Sequence, residues 1–340
     1  MTLPRVDHLG MGGTIACRRV DDSPGVVPVL EAEDVSLTIP GIGEIADIRA
    51  EQFLRVSSSE LTIADLLRLR DEAASRVAAG ARGVIVTQGT DSIEETAYVL
   101  DLLWTHDAPL VLTGAMRHAS LPGADGPANI AAAVQVAVSE AARSLGVLVV
   151  FNDEIHAARF VRKTHTTAPD TFASPAAGPL GWVTEGRPYI AVRPVGRPSG
   201  ALSAALSGTL SGEVTTPPVA LLHLALGDDG RLLGALGGLG YAGAVLESFG
   251  GGHVPPAMVA PIRALLGEMP VVLASRTGVG QVLTETYRFA GSEIELLALG
   301  VIRAGSLDAR KARLLLTLGL AAGYRGAALS ALFADAGLSS

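Results

Sequence analysis

The sequence predicts an α/β protein: a doubly wound parallel sheet in its N-terminal part, followed by a smaller α/β domain. Three observations carry this. Short apolar runs alternate with longer helix-like segments, the pattern of βαβ units. Mean hydropathy is high, at +0.39, yet no stretch approaches the ~20 apolar residues of a membrane-spanning helix. The apolar content is Ala, Leu and Val spread along the chain, as a buried parallel sheet requires. Finally, polar glycine-containing motifs follow three of the expected strands, where such sheets bind ligands.

The elements follow in order. Val6–Met11, Gly83–Val86, Pro109–Thr113 and Gly146–Val150 read as strands, and later Val219–Ala225, Ala244–Leu246 and Val271–Ala274. Between them, Leu61–Ala79 reads as a helix opening with Thr62 near Asp65. Ser92–Trp104 opens with Ser92 and Glu95, a capping-box spacing. Pro127–Ala142 places proline in a first turn, where its missing N–H costs nothing. A Pro-, Gly- and Ser-rich stretch around 186–218 has little periodic apolar signal and reads as a linker. The 340 residues suit about two domains of ~150 residues each. They divide into an N-terminal domain at 1–190, a linker at 191–218 and a second domain at 219–340.

Composition excludes several function classes. The formal net charge is −8 and no basic stripe is present, which argues against a nucleic-acid partner. A single cysteine, Cys17, excludes an internal disulfide framework and a multi-cysteine metal site. The N-terminus MTLPRVDHLG has no apolar signal core, so the chain is expected to be cytoplasmic, without a membrane partner. All but two of the 26 basic residues are arginines, the exceptions being Lys163 and Lys311. Codon composition accounts for most of that bias.

The three strand-end motifs are Gly12-Gly13-Thr14, Thr87-Gln88-Gly89-Thr90-Asp91 and Gly114-Ala115-Met116-Arg117. In a doubly wound sheet the carboxyl ends of the strands share one edge, so these motifs should converge in space. Thr90 and Asp91 precede a helix, where free N–H groups and the macrodipole favour an anion or a developing oxyanion. Asp91 could equally be a plain helix cap. Two glycines before Thr14 permit a sharp turn that leaves the hydroxyl accessible, although Gly-Gly-Thr alone also describes an ordinary turn.

Competing motifs fail. Gly10-Met11-Gly12-Gly13-Thr14-Ile15 begins like a dinucleotide fingerprint, but Ile15 occupies the third glycine position. There is no Walker-type Gly-Lys-Ser/Thr and no His-Glu-x-x-His. Gly-x-Ser-x-Gly and Ser-x-x-Lys are also missing. The cluster Arg162-Lys163-Thr164-His165-Thr166-Thr167 reads either as a solvated loop or as the source of a base. A desolvated lysine can lose its proton, whereas arginine cannot, and a threonine hydroxyl is a poor nucleophile without a base. Thr90, Lys163 and Asp91 would then form a chemically coherent group.

Together these segments resemble the bacterial-type L-asparaginase family. Gly12-Gly13-Thr14-Ile15-Ala16 and Thr87 through Ala97 are similar to its two signature motifs. Gly114 through Arg117 and Ala124 through Pro127 are similar to its third block. Lys163-Thr164, Ser275-Arg276 and Lys311-Ala312-Arg313 extend the likeness over nearly the whole chain. The resemblance implies a flavodoxin-like N-terminal domain and a smaller C-terminal α/β domain. It implies hydrolysis of L-asparagine to aspartate and ammonia, as in asparagine catabolism, with no metal and no cofactor. Thr14 falls on the nucleophile that forms an acyl-enzyme, and Thr90, Asp91 and Lys163 on the second catalytic group. Substrate contacts would come from Ser58 and Ser59, from Thr90 and Asp91, and from the carbonyl of Ala115. Family active sites lie between subunits of a dimer, usually paired into a tetramer, so a homo-oligomer is expected.

The departures are specific. The segment Arg18–Leu30 lacks the family's loop tyrosine, and Gly25 lies near its place. Where the family has Gly-Ser-Gln-Asp, this chain has Ser57-Ser58-Ser59-Glu60. The asparagine expected near Gly251 is missing. Glu285 and Tyr287 are both candidates for the glutamate's position lent across subunits. The expected activity is therefore an L-asparaginase-like amidohydrolase. The alternatives are a relative preferring glutamine or another small amide, and a non-catalytic amino-acid sensor. An amidotransferase subunit would need an extra N-terminal domain before the first motif, which begins at Gly12.

Overall fold

The computed structural model describes residues 2–20, 25–37, 39–196, 200–207 and 216–337. The chain forms two compact units, Met1–Gly200 and Ala201–Ser340. The first is built on an eight-stranded sheet. Its parallel strands are β1 (Arg5–Gly10), β2 (Asp47–Gln52), β3 (Gly83–Thr87), β4 (Leu110–Thr113) and β5 (Val147–Phe151). They run in the order β2-β1-β3-β4-β5, the flavodoxin-like order, whose ligand crevice opens where the winding reverses between β1 and β3. Three antiparallel strands, β6 (Glu154–Ala157), β7 (Gly181–Thr184) and β8 (Arg187–Ile190), extend the far edge.

Side chains alternate between the two faces with period two, as a sheet buried on both faces requires. Val84, Val86, Leu110, Leu112, Val147 and Val149 join one core. That core packs under α1 (Ile63–Ala78) and α2 (Ile93–Leu103). Val6, Ile85, Val111, Leu148 and Val150 join the other, under α3 (Gly126–Val138). β3, β4 and β5 thus read as apolar runs, β1 buries Asp7 and His8 among its apolar residues, and four of the five parallel strands are visible in the sequence. β2 is not, because it is an edge strand. Its residues alternate exposed and half-buried, with Asp47, Arg49 and Glu51 toward solvent, so no apolar run forms.

The helix boundaries differ instructively. α1 carries the expected capping box: Asp65 N donates to Thr62 Oγ1 at 3.2 Å, and Thr62 N to Asp65 Oδ2 at 2.9 Å. α2 does not. The chain enters it through a 3-10 turn, Thr90–Ser92, and Ser92 makes no cap bond. α3 ends at Val138 rather than running to Ala142. Ser139 turns extended there and caps a separate 3-10 turn, Glu140–Ala142.

The second unit has a four-stranded parallel sheet, β9 (Val219–His223), β10 (Gly243–Ser248), β11 (Val271–Ser275) and β12 (Ile302–Arg303). Its helices include two that the sequence reading did not mark, α4 (Ala309–Ala321) and α5 (Gly326–Ala336). Asp308 caps α4, accepting from the backbone N–H of Arg310 and Lys311. The buried Lys311 ammonium stands 3.6 Å from the same carboxylate, which gives the second lysine a structural place. Of the 191–218 stretch, residues 197–199 and 208–215 lie outside the described residues, and Ala201–Ser207 is a short helix of the second unit.

One buried polar group ties β1 to the second motif. The His8 ring lies 2.8 Å from Ser36 Oγ and 2.8 Å from Thr87 Oγ1. Burial pushes this imidazole down from its ordinary 6.5 to about 4; His156 is displaced in the same way. Below pH 6.5 the unfolded chain takes up a proton that the folded chain refuses. Stability present at neutral pH is therefore lost as pH falls from about 6.5 to about 4, by about 3 kcal/mol for His8. Denaturant unfolding across pH 4–7.5 should show this slope, and His8→Asn should remove its own share of it. An unchanged slope in the variant would contradict the assignment.

Candidate active site

The three strand-end motifs meet at the β1/β3 switch point. Gly13 adopts φ +86°, and an added Cβ there would lie 2.2 Å from the backbone nitrogen of Gly89. A Cβ on Gly89 would in turn lie 2.7 Å from Ser58 Oγ. Only two glycines let the first and second motifs approach this closely. Thr14 follows at once and opens a 3-10 turn, Thr14–Ala16. Thr90 is buried at the start of the turn that leads into α2, and Asp91 is exposed beside it.

Lys163 comes from a short strand, Arg162–Lys163, paired with Phe172–Ala173. Its Nζ donates to Thr90 Oγ1 at 2.9 Å and to Asp91 Oδ1 at 2.7 Å. The lysine side chain is 17% exposed and that of Asp91 71%, so the pair spans the boundary between protein and open cleft. The Lys163 backbone N–H donates to Glu94 Oε2 at 2.5 Å. Glu94, buried in the first turn of α2, thereby ties the lysine segment to the helix that begins just after Thr90.

Thr14, Ser58, Thr90, Asp91 and Lys163 all line one cleft of about 570 Å³, together with Arg55, Ser57, Glu60, Met116 and Thr166. Two expected residues stand elsewhere. Ser59 is exposed, its hydroxyl 2.8 Å from Ser57 Oγ, and does not line the cleft. Ala115 is buried next to Met116 rather than in the lining. Gly25 is exposed, while 21–24 of the loop lacking tyrosine lie outside the described residues. Glu285 and Tyr287 lie on an exposed loop of the second unit. There the backbone N–H groups of Thr286 and Tyr287 donate to buried Glu293.

The third motif is held by two residues given no role at the sequence level. Asp125 accepts from Met116 N at 3.0 Å and Arg117 N at 2.8 Å. Asn129 Nδ2 donates to Gly114 O at 3.0 Å, and Asn152 N donates to Asn129 Oδ1 at 2.9 Å. Glu94, Arg55 and Asn129 were likewise invisible as site residues. A glutamate in a helix's first turn, an arginine in an Arg-rich chain and an asparagine on a helix each have an ordinary explanation. Cys17 also lines the cleft, three residues after Thr14. Burial pushes its thiol up, and Sγ donates to Gly13 O at 3.3 Å.

Chemically, the cleft offers a hydroxyl on a tight turn, a second hydroxyl bonded to an amine, and a carboxylate on that amine. A helix start adds its positive dipole end. These are the parts of a nucleophilic acyl transfer.

Known proteins resemble this chain along its length. Residues 5–195 match the family model described as asparaginase, N-terminal, and residues 218–333 that of the glutaminase/asparaginase C-terminal domain. A probable L-asparaginase of Deinococcus radiodurans is 36% identical over 326 residues, 93% of this chain and 92% of that protein. An L-asparaginase of Bacillus licheniformis is 32% identical, over 95% of this chain and 97% of its own. The crystal structure of a probable cytoplasmic L-asparaginase from Campylobacter jejuni superposes with a TM-score of 0.85 at 32% identity, covering 97% of this chain and 99% of that one.

The Gly13–Gly89 approach makes a sharp prediction. Gly13→Ala forces a Cβ into backbone and strains a positive φ, so thermal unfolding should show a loss of about 3 kcal/mol or more. Gly25→Ala, with φ +104° but open space around it, should lose only about 1 kcal/mol. Equal losses would mean that contact at Gly13 is not the limiting constraint.

Proposed function

This chain belongs to the L-asparaginase family, and from that premise we propose that it hydrolyses the side-chain amide of L-asparagine to L-aspartate and ammonia through a threonine acyl-enzyme. Family membership makes it an amidohydrolase. The single observation that supports the residue roles is that Lys163 Nζ stands within hydrogen-bond distance of both Thr90 and Asp91 in the cleft that Thr14 lines.

In this reading Thr14 Oγ attacks the amide carbon, and its proton leaves on the departing nitrogen as ammonia. Water then cleaves the acyl ester and regenerates the hydroxyl. Thr90 orients and deprotonates that water, passing the proton along its 2.9 Å contact to the neutral Lys163 amine, from which it returns to Thr14 Oγ as the ester bond breaks. Asp91 holds the ammonium so formed. Its exposed carboxylate also faces the cleft, where it can receive the substrate's α-ammonium, while Ser58 receives the α-carboxylate. The dipole of α2 favours the negative charge that develops on the amide oxygen.

A cytoplasmic location and a dimer or dimer of dimers belong to the same proposal. Among the described residues no helix is long and apolar enough to cross a membrane. The Campylobacter jejuni protein is titled cytoplasmic, whereas a Haemophilus influenzae relative, 32% identical over 94% of this chain, is named a probable periplasmic L-asparaginase. Fractionation of the source cells and sedimentation of the purified protein test these points.

Activity is checked by ammonia release from asparagine, glutamine and small amides. Asparagine should be hydrolysed fastest; a preference for glutamine would shift the substrate, and no release from any amide would defeat the enzyme reading. Thr14→Ala and Thr90→Val should each lower kcat by about a thousandfold with the unfolding temperature retained. Lys163→Arg keeps the charge yet cannot accept a proton, so it should lose about a hundredfold or more. Retention of most activity in Lys163→Arg would remove the base from the scheme.

A further inference from the structure

The proposed substrate is a zwitterion at the end away from its amide. An α-carboxylate leaving water needs charged or multiple hydrogen-bonding partners. Family resemblance places it at Ser58 beside a glutamine, but here that neighbour is Ser59, turned to solvent and bonded to Ser57. One neutral hydroxyl is thin compensation for a carboxylate.

The cleft contains a cation without a role so far. Arg55 lines it three residues before Ser58. Its backbone is pinned against the first motif. A Cβ on Gly12 would meet Arg55 Cα at 3.6 Å, and Val56 N donates to Met11 O at 3.4 Å. The Arg55 guanidinium pairs with Glu31 through Nη2. Both partners are about half exposed, so the pair itself contributes little stability. What it does is hold the planar group in place, while a guanidinium's five donors leave others for a second carboxylate. The other basic side chain that lines the cleft among the described residues, Lys163, is engaged by Thr90 and Asp91. Charges in the lining thus divide into Arg55 for an anion and Asp91 with Glu60 for a cation, the pattern of an α-amino acid.

We propose that Arg55, poised by Glu31, binds the α-carboxylate of the substrate beside Ser58 and takes over the contact that Ser59 has given up. It is a specificity residue for α-amino-acid amides over amides lacking a carboxylate. The inference rests on the amidohydrolase reading above, and its test separates the two.

The full-length protein, Arg55→Gln and Arg55→Lys are compared in two measurements: steady-state ammonia release from L-asparagine, and calorimetric binding of the product L-aspartate. Arg55→Gln should raise KM by about tenfold or more, with kcat changing less than about threefold. It should weaken L-aspartate binding by a similar factor. Arg55→Lys, keeping charge but not the planar fork, should fall between. Thermal unfolding confirms that each variant is folded, as expected for a half-exposed side chain. KM and Kd within about threefold of the unmodified protein would overturn the proposal, as would a kcat loss matching the KM rise. Should the unmodified protein bind L-aspartate yet release no ammonia, the enzyme reading fails while the binding arm still decides Arg55. Absence of both binding and turnover overturns both.

Discussion

The site depends on two loops coming closer than side chains allow. At the β1/β3 switch point the backbone of Gly13 lies against that of Gly89. This contact sets Thr14, Thr90 and Ser58 around one cleft, although they are distant in sequence. The strands beneath supply the precondition. A parallel sheet buried on both faces is rigid, and its register fixes where each strand ends: Gly10 sits opposite Thr87, and Thr87 opposite Thr113. Met11 N donating to Thr87 O at 2.8 Å and Gln88 N donating to Thr113 O at 3.2 Å carry that register one residue beyond the sheet. Loops rooted this way diverge little before they reach the cleft.

Around that fixed point, three carboxyl or amide side chains hold what the sheet cannot. Asp125 and Asn129 brace the third motif, and Glu94 fastens the backbone of Lys163 to α2. The last matters most. The lysine arrives on a two-residue strand outside the main sheet, the least constrained element to contribute to the cleft. Bonding its backbone to the helix that begins just after Thr90 restores the alignment that the sheet gives the other two motifs.

Much of this was legible beforehand, for physical reasons. The strands β3, β4 and β5 show as apolar runs because both faces are buried, and the motifs show because three of them follow strands whose ends share one edge. What stayed hidden shares one property: it looks ordinary. β2 is an edge strand whose exposed half is charged. Ser92 and Glu95 have a capping spacing, yet Ser92 spends its hydroxyl on the carbonyl of Ser58, a long-range partner that no local pattern announces. The scarcity of lysine drew attention to Lys163, which the structure places against Thr90 and Asp91. The same composition hid Arg55 among its many kin, and gave no hint that Lys311 packs at a helix start.

The bond from Ser92 Oγ to Ser58 O, 2.8 Å long, has an evolutionary consequence. It fastens the middle of the Ser57–Glu60 segment to the 3-10 turn that carries Thr90. Ser58 is buried against Gly89, whereas Ser57, Ser59 and Glu60 are exposed on either side. The segment is therefore a cassette with one locked position and three open ones. Substitution at the open positions leaves that lock in place, because it runs through the Ser58 backbone carbonyl and not through their side chains.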